Sequence, residues 1–222
     1  MYYILLIIAM FISMFASLKV RSNYVKFSKV AASSGLTGSE AAKIILDKNG
    51  IYDVSVQPIN GILTDHYDPK SKVIRLSQGI YDSDSVSAVS VAAHEVGHAI
   101  QDNEGYAFLR FRSALVPVVN FTSRFTFIII FAGIFLELGE LIDVGIILFS
   151  LSVLFHIVTL PVELDASKRA MNTLVANSII TSEEKSGTKK VLGAAAMTYV
   201  ASMLTSLIQL FRFISIRNSN RR

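Results

Sequence analysis

The stretch PVVNFTSRFTFIIIFAGIFLELGELIDVGIILFSLSVLFHIVTL, residues 117–160, decides the fold of this chain. It holds two apolar runs, Pro117–Leu136 and Leu141–Leu160. Each run has the ~20 residues that a helix needs to cross a bilayer. Acidic residues mark the junction between the runs: Glu137, Glu140 and Asp143. The pattern predicts a transmembrane hairpin whose tip lies on the non-cytoplasmic side.

A third apolar run, Met1–Leu18, opens the chain, and basic residues follow it: Lys19, Arg21, Lys26 and Lys29. A secretory signal peptide carries its positive charge before the apolar run, whereas here the charge comes after it. The order favours an uncleaved transmembrane anchor whose C-terminal end lies in the cytoplasm by the positive-inside rule. A removable signal peptide is the alternative interpretation.

The last apolar run, Val191–Phe211, is also long enough to cross the bilayer. Arginines follow it in the tail: Arg212, Arg217, Arg221 and Arg222. Their charge favours a cytoplasmic C-terminus, whereas alternation of four spans places it outside. The sequence leaves the side of the C-terminus open.

Composition agrees with a membrane protein. Hydrophobic residues make up 52% of the 222 residues and charged residues only 17%, and the mean hydropathy is +0.50. A soluble domain carries about a quarter charged residues. The chain has no Cys, which excludes disulfides and thiolate metal ligands. Its net charge of +4 lies beside apolar segments without a nucleic-acid-binding motif, so no nucleic acid is expected as a partner.

The polar stretch 21–113 is long enough to fold outside the bilayer. The predicted elements are a helix over Gly38–Asn49, strands over Val54–Val56 and Lys72–Ser77, and a helix over Ser85–Gln101, with a turn-rich segment at 64–70. The strand Lys72–Ser77 is either a sheet edge that a peptide substrate extends or an ordinary internal strand. The fold class predicted is mainly α and integral to the membrane, with about four transmembrane helices and a small β element.

The run His94-Glu95-Val96-Gly97-His98 carries the chemistry. Four-residue spacing on a helix places both imidazoles on one face, where both can bind one zinc ion. Glu95 is displaced around the helix and can act as general base toward a water polarised by the metal. Gly97 has no side chain to block that face. The competing interpretation is a chance match on a polar helix.

A third protein ligand is needed, because catalytic zinc sites combine three protein ligands with an open position. Glu163 is the best candidate in the polar segments downstream. Pro161 suits the first turn of a helix that begins where the chain leaves the bilayer. Glu163 alternatively only complements the N-terminus of that helix. His66, in a predicted turn, is the rival ligand.

Four stretches together resemble the YugP-like neutral zinc metallopeptidases of bacteria: DHYDP at 65–69, VIRLS at 73–77, AHEVGHAIQ at 93–101 and LPVELDAS at 160–167. The resemblance covers nearly the whole chain. It implies a multi-pass membrane protein of the gluzincin type, in which two His and one Glu, here His94, His98 and Glu163, bind one Zn2+. The layout is also similar to the HtpX-type membrane proteases, which carry Glu-x-x-Ala-Asp. Ser167 stands where that Asp, which supports a metal-binding His, would be.

Two further residues are candidates for supporting roles. His156 precedes Glu163 by two helical turns and can hold a proton or steady an oxyanion; the alternative is a buried histidine bonded to a neighbouring span. Arg169 can stabilise an oxyanion, or it is a membrane-flanking charge. An intramembrane protease is not favoured, because the helix Ser85–Gln101 is too short and too polar to span a bilayer.

The predicted division of the chain is an anchor at 1–20, a cytoplasmic catalytic region at 21–113, a transmembrane hairpin at 114–162, a helix with the third ligand at 163–190, and an apolar helix with a basic tail at 191–222. The predicted function is zinc-dependent hydrolysis of peptide bonds in membrane-associated proteins or peptides, at the cytoplasmic face of the cell membrane. The alternatives are a catalytically silent zinc-binding scaffold and a metal-dependent hydrolase of a non-peptide bond. The oligomeric state is not predicted.

Overall fold

Long helices dominate the computed structural model, which describes residues 2–219, with side chains from residue 4 onward. Arg221 and Arg222 of the predicted basic tail lie outside the described residues. In chain order the elements are α1 Tyr2–Phe27, α2 Gly38–Lys48, β1 Ser55–Ile59, β2 His66–Asp68, β3 Val73–Ser77, α3 Gln78–Tyr81, α4 Val86–Asn103, α5 Ala107–Phe135, α6 Gly139–Ala176 and α7 Glu184–Ser219.

Helices α1, α5, α6 and α7 are each long and apolar enough to cross a membrane. Their outward side chains are large and apolar, as in Ile128 and Phe131 of α5 and Ile147 of α6, each 65% exposed. Water would solvate such a surface poorly, whereas lipid chains cover it. The predicted fold class, a mainly helical membrane protein with about four spanning helices and a small sheet, is confirmed.

The described chain forms two compact units. The first, here called the spanning unit, comprises the described parts of residues 1–15, 107–161 and 198–222. The second, here called the sheet unit, comprises residues 16–106 and 162–197.

An ion pair joins α6 and α7 at one end of the spanning unit. Arg217 of α7 donates from Nε and Nη2 to the two carboxylate oxygens of Asp143 in α6, at 2.8 and 2.7 Å. Asp143 lies one turn from the start of α6, at the tip of the α5–α6 hairpin. The C-terminal end of α7 therefore lies at the hairpin tip.

The sheet unit contains a three-stranded sheet with the order β1-β3-β2. β1 runs parallel to β3, and β2 runs antiparallel to it. β3 is therefore the internal strand, and the interpretation of Lys72–Ser77 as an edge that a peptide extends is wrong. The turn-rich segment at 64–70 contains β2. This strand has three residues, which are too few to give a recognisable strand pattern in the sequence.

Helix α4 is the centre of the sheet unit. Ser85 caps its N-terminus by accepting a hydrogen bond from the backbone N–H of Ala88 at 3.2 Å. Its apolar face, including Val89 and Val96, is fully buried and packs against α2 and the sheet. The burial of this face holds the polar motif at the opposite side of the same helix in a fixed position.

Pro161 lies inside α6, so the prediction that it begins a new helix is wrong. Proline removes one helical N–H and crowds the preceding turn, yet helices of membrane proteins accommodate it. Thr159 nearby turns its hydroxyl back onto the carbonyl oxygen of Phe155, at 2.7 Å. Glu163 is therefore carried by the continuation of a spanning helix rather than by a separate one.

Candidate metal centre

His94 and His98 lie one turn apart on α4 and share a face, as their spacing predicts. Their ring centroids are 4.8 Å apart and the rings stand nearly perpendicular. The side chains are 13% and 10% exposed, so the imidazoles are largely shielded from solvent.

Glu163 of α6 faces this pair. Its Oε2 lies 3.2 Å from His94 Nε2 and 3.7 Å from His98 Nε2, and the residue is only 3% exposed. Within residues 2–219 these three form the one group of His, Asp and Glu whose ligand atoms all lie within 4.8 Å of one another.

The donor set fits a zinc ion. Ligands ~2.0–2.2 Å from a tetrahedral ion lie about 3.3–3.5 Å from one another, close to the two separations above. Two imidazole nitrogens and one carboxylate oxygen are donors that zinc accepts in catalytic sites, and three of them leave a position open. His94, His98 and Glu163 are therefore the side chains that would hold the ion.

The two helices approach closely because of a glycine. A Cβ built on Gly97 would lie 2.6 Å from the carbonyl oxygen of Ala166, which is closer than real Cβ atoms come. Gly97 lies between the two histidines, and Ala166 lies three residues after Glu163. The expectation that Gly97 clears the metal face is thus refined: its missing side chain makes room for the backbone of α6.

Glu95 is buried, at 7% exposed. The backbone N–H of Tyr67 in β2 donates a hydrogen bond to its carboxylate. Burial raises the pKa of Glu95 to about 7, the nearby His94 opposes the rise, and the carboxylates of Glu163 and Asp65 add to it. A carboxyl group with a pKa near neutrality both takes up and returns a proton readily at neutral pH.

The outer nitrogen of each histidine also has a side-chain partner. His94 Nδ1 lies 3.2 Å from the hydroxyl oxygen of Ser167, and His98 Nδ1 lies 3.0 Å from Oε1 of Gln101. Such outer partners fix the ring orientation and the tautomer of a metal-binding histidine. Ser167 thus contacts a histidine from the position where HtpX-type proteases carry Asp.

The chain is similar in sequence to known proteins. Residues 2–218 match the model of the family described as "Putative neutral zinc metallopeptidase". The chain belongs to this family. A curated relative, "Putative membrane protease YugP" of Bacillus subtilis (strain 168), is 51% identical over 212 residues, covering 96% of this chain and 94% of that protein. No solved structure matches. These matches confirm the resemblance that the sequence indicates. The likeness to a membrane protease and the four long apolar helices indicate that the protein resides in a membrane.

Sequence reasoning missed two residues around the candidate metal centre, Gln101 and Asp165. Gln101 follows His98 by three residues on α4, a spacing that faces the same side and was available as a signal. Asp165 accepts a hydrogen bond from Nε2 of Gln101 at 2.9 Å, so it reaches His98 only through that amide.

The remaining candidates lie elsewhere or are already engaged. His156 is half-buried in the spanning unit, where it lines a groove with Ser206 and Gln209. Arg169 pairs with Asp165 and with Glu104. His66 lies in β2, with Nδ1 2.8 Å from the carbonyl oxygen of Thr64.

Proposed function

We propose that this chain is a membrane-anchored zinc metalloendopeptidase that hydrolyses peptide bonds of membrane-associated proteins or peptides. The observation that carries the proposal is the convergence of His94, His98 and Glu163 on one point, with the buried Glu95 beside them. Family membership supports the same chemistry. The likeness to a membrane protease supports a protein substrate.

Each residue of the site has a distinct task. One bound zinc ion would supply Lewis acidity, polarising the scissile carbonyl and lowering the pKa of water. Glu95 takes the proton from the attacking water, holds it on its carboxylate, and delivers it to the nitrogen of the leaving amine. Burial suits Glu95 to both transfers, because its pKa lies near neutrality. The Tyr67 N–H orients the carboxylate between the two transfers.

The active site is proposed to face the cytoplasm. Basic residues at the C-terminal end of α1 support this orientation: Lys19, Arg21 and Lys26. The hairpin tip, where Asp143 pairs with Arg217, is proposed to lie on the opposite side of the membrane. The substrates would then be proteins that present a segment at the cytoplasmic surface of the membrane.

The experiment uses the purified full chain in detergent. Zinc is measured by elemental analysis, and cleavage is measured with a fluorescently labelled unfolded protein as the substrate. We expect about one zinc per chain and cleavage that a chelator abolishes. Glu95→Gln should retain zinc and lose cleavage. Retained cleavage in that variant would overturn the role of Glu95. Zinc without cleavage of any protein substrate would favour the silent scaffold, or a hydrolase of another bond, over the proposal.

A further inference from the structure

Gln101 is fully buried between α4 and α6, and all polar atoms of its side chain are engaged. Its Oε1 lies 3.0 Å from His98 Nδ1. Its Nε2 donates to the carbonyl oxygen of Val162 at 2.8 Å and to the carboxylate of Asp165 at 2.9 Å. Val162 and Asp165 flank Glu163 in the sequence, so a single amide joins one proposed metal ligand to the turn that carries another.

Only one assignment of donors and acceptors satisfies all three contacts of the Gln101 amide. A carbonyl oxygen and a carboxylate accept hydrogen bonds and do not donate them, so both must face the NH2 group of Gln101. The amide oxygen of Gln101 must then face His98. That oxygen only accepts, so Nδ1 of His98 must carry the proton. In a neutral imidazole the lone pair is then left on Nε2, the atom that faces Glu163.

The acceptor Asp165 is itself held in place. Arg169, one turn further along α6, donates from Nε to its Oδ2 at 2.5 Å. The same guanidinium pairs with Glu104 at 2.7 Å, beyond the end of α4. This second link between α4 and α6 keeps the carboxylate turned toward Gln101, and it commits the charge of Arg169 to a structural pairing.

We propose that Gln101 is a positioning residue of the metal centre. It selects the tautomer of His98 that presents Nε2 as a ligand, and it fixes the α6 turn that carries Glu163. This inference rests on the proposed zinc site and adds to it a residue that couples the two halves of that site. Zinc itself is the ligand whose binding depends on the coupling.

The test compares two substitutions of Gln101 with a matched control. Gln101→Met keeps the length and removes every hydrogen bond. Gln101→Glu keeps an acceptor for His98 Nδ1–H and removes the NH2 group that donates to Val162 and Asp165. The control is Asn23→Leu, which removes another buried amide that joins two helices of the sheet unit, through its 2.7 Å bond to the carbonyl oxygen of Lys190.

Zinc affinity is measured by competition with a chelating dye. Loss of an outer partner of a metal-binding histidine costs about 10–100-fold in affinity. We expect a loss of that size in Gln101→Met, a smaller loss in Gln101→Glu, and wild-type affinity in Asn23→Leu. Unchanged affinity in Gln101→Met, or an equal loss in Asn23→Leu, would overturn the proposal.

The tautomer is observed directly by 15N NMR of histidine-labelled, zinc-free protein, which is practical because the chain has 4 histidines. We expect His98 to carry its proton on Nδ1 in the wild type and in Gln101→Glu, and to lose that preference in Gln101→Met. The same preference in all three would show that Gln101 has no part in selecting the tautomer. Neither readout depends on cleavage, so a protein that binds zinc but cleaves nothing would defeat the proposed function and leave this inference standing.

Discussion

Gly97 of α4 lies against the backbone of Ala166 in α6, with room for no side chain between them. The contact sets how near the histidine face of α4 comes to the Glu163 side of α6. Because the blocking atoms belong to backbone, a methyl group here cannot be accommodated by a side-chain rotation. The geometry of the ligand cluster therefore depends on the absence of a side chain at position 97.

The first prediction is that Gly97→Ala weakens zinc binding. The added methyl group must separate the helices and carry Glu163 away from His94 and His98. A displacement of ~1 Å is enough to spoil a ligand set. Zinc affinity, measured by competition with a chelator, should fall by at least tenfold.

The matched control is Gly193→Ala in α7, where a Cβ meets nothing within 4 Å. Alanine is favoured over glycine in a helix interior by about 1 kcal/mol, so this variant should be at least as stable as the wild type. It should bind zinc normally. Normal zinc affinity in Gly97→Ala as well would show that the helix contact does not govern the metal centre.

The second prediction concerns the third ligand. Glu163→Ala removes the carboxylate that lies 3.2 Å from His94, leaving two protein ligands where catalytic zinc sites have three. Zinc affinity should fall by more than the ~100-fold that loss of an outer partner costs at most. Elemental analysis after dialysis against a weak chelator measures the loss.

Glu184→Ala serves as its control. Glu184 is also a hydrogen-bonded carboxylate of the sheet unit. Its Oε1 accepts a hydrogen bond from the backbone N–H of Ser33 at 2.7 Å. Glu163→Ala should lose its zinc during dialysis, whereas Glu184→Ala should keep it. A Glu163→Ala protein with full zinc content would remove Glu163 from the proposed ligand set.

The third prediction concerns Ser167. A hydroxyl is a weaker partner for a histidine N–H than a carboxylate is. Ser167→Asp should therefore raise zinc affinity, whereas Ser167→Ala should lower it by about tenfold. Ser150→Ala is the control, because this α6 hydroxyl bonds only within its own helix, to the carbonyl oxygen of Ile146. Equal affinities in all these variants would mean that His94 does not depend on residue 167.

Much of the fold could be predicted because its signals are local. Apolar runs of spanning length and a four-residue histidine spacing are properties of a short segment. Glu163 was also accessible, since few polar candidates follow the hairpin. The continuation of α6 through Pro161 was not accessible, because a proline at a helix start and a proline inside a spanning helix give the same local pattern.

The residues that support the site depend on tertiary contacts. Gln101 and Asp165 lie 64 residues apart in sequence, and the hydrogen bond between them forms only after α4 and α6 pack. The internal position of β3 likewise depends on strand order, which its own five residues do not encode. Short segments of this sequence therefore predict its helices and strands, but they do not predict the hydrogen bonds between polar side chains of different elements.

The fourth prediction is the side of the membrane on which each end of the spanning unit lies. Since Arg217 pairs with Asp143, the C-terminal end of α7 should lie on the same side of the membrane as the hairpin tip, which is predicted to be non-cytoplasmic. The basic end of α1 should lie in the cytoplasm by the positive-inside rule. The chain has no native Cys, so single cysteines report their location without background. Suitable positions are Ser219 at the end of α7, Glu137 at the hairpin tip and Ser28 after α1.

Intact cells are treated with a membrane-impermeant thiol reagent, and permeabilised cells serve as the control for reactivity. Ser219→Cys and Glu137→Cys should both be labelled in intact cells, and Ser28→Cys should be labelled only after permeabilisation. Labelling of Ser28→Cys in intact cells would reverse the proposed orientation and place the zinc site outside. Labelling of Glu137→Cys but not of Ser219→Cys in intact cells would contradict the Arg217–Asp143 pair, which requires both ends on one side of the membrane.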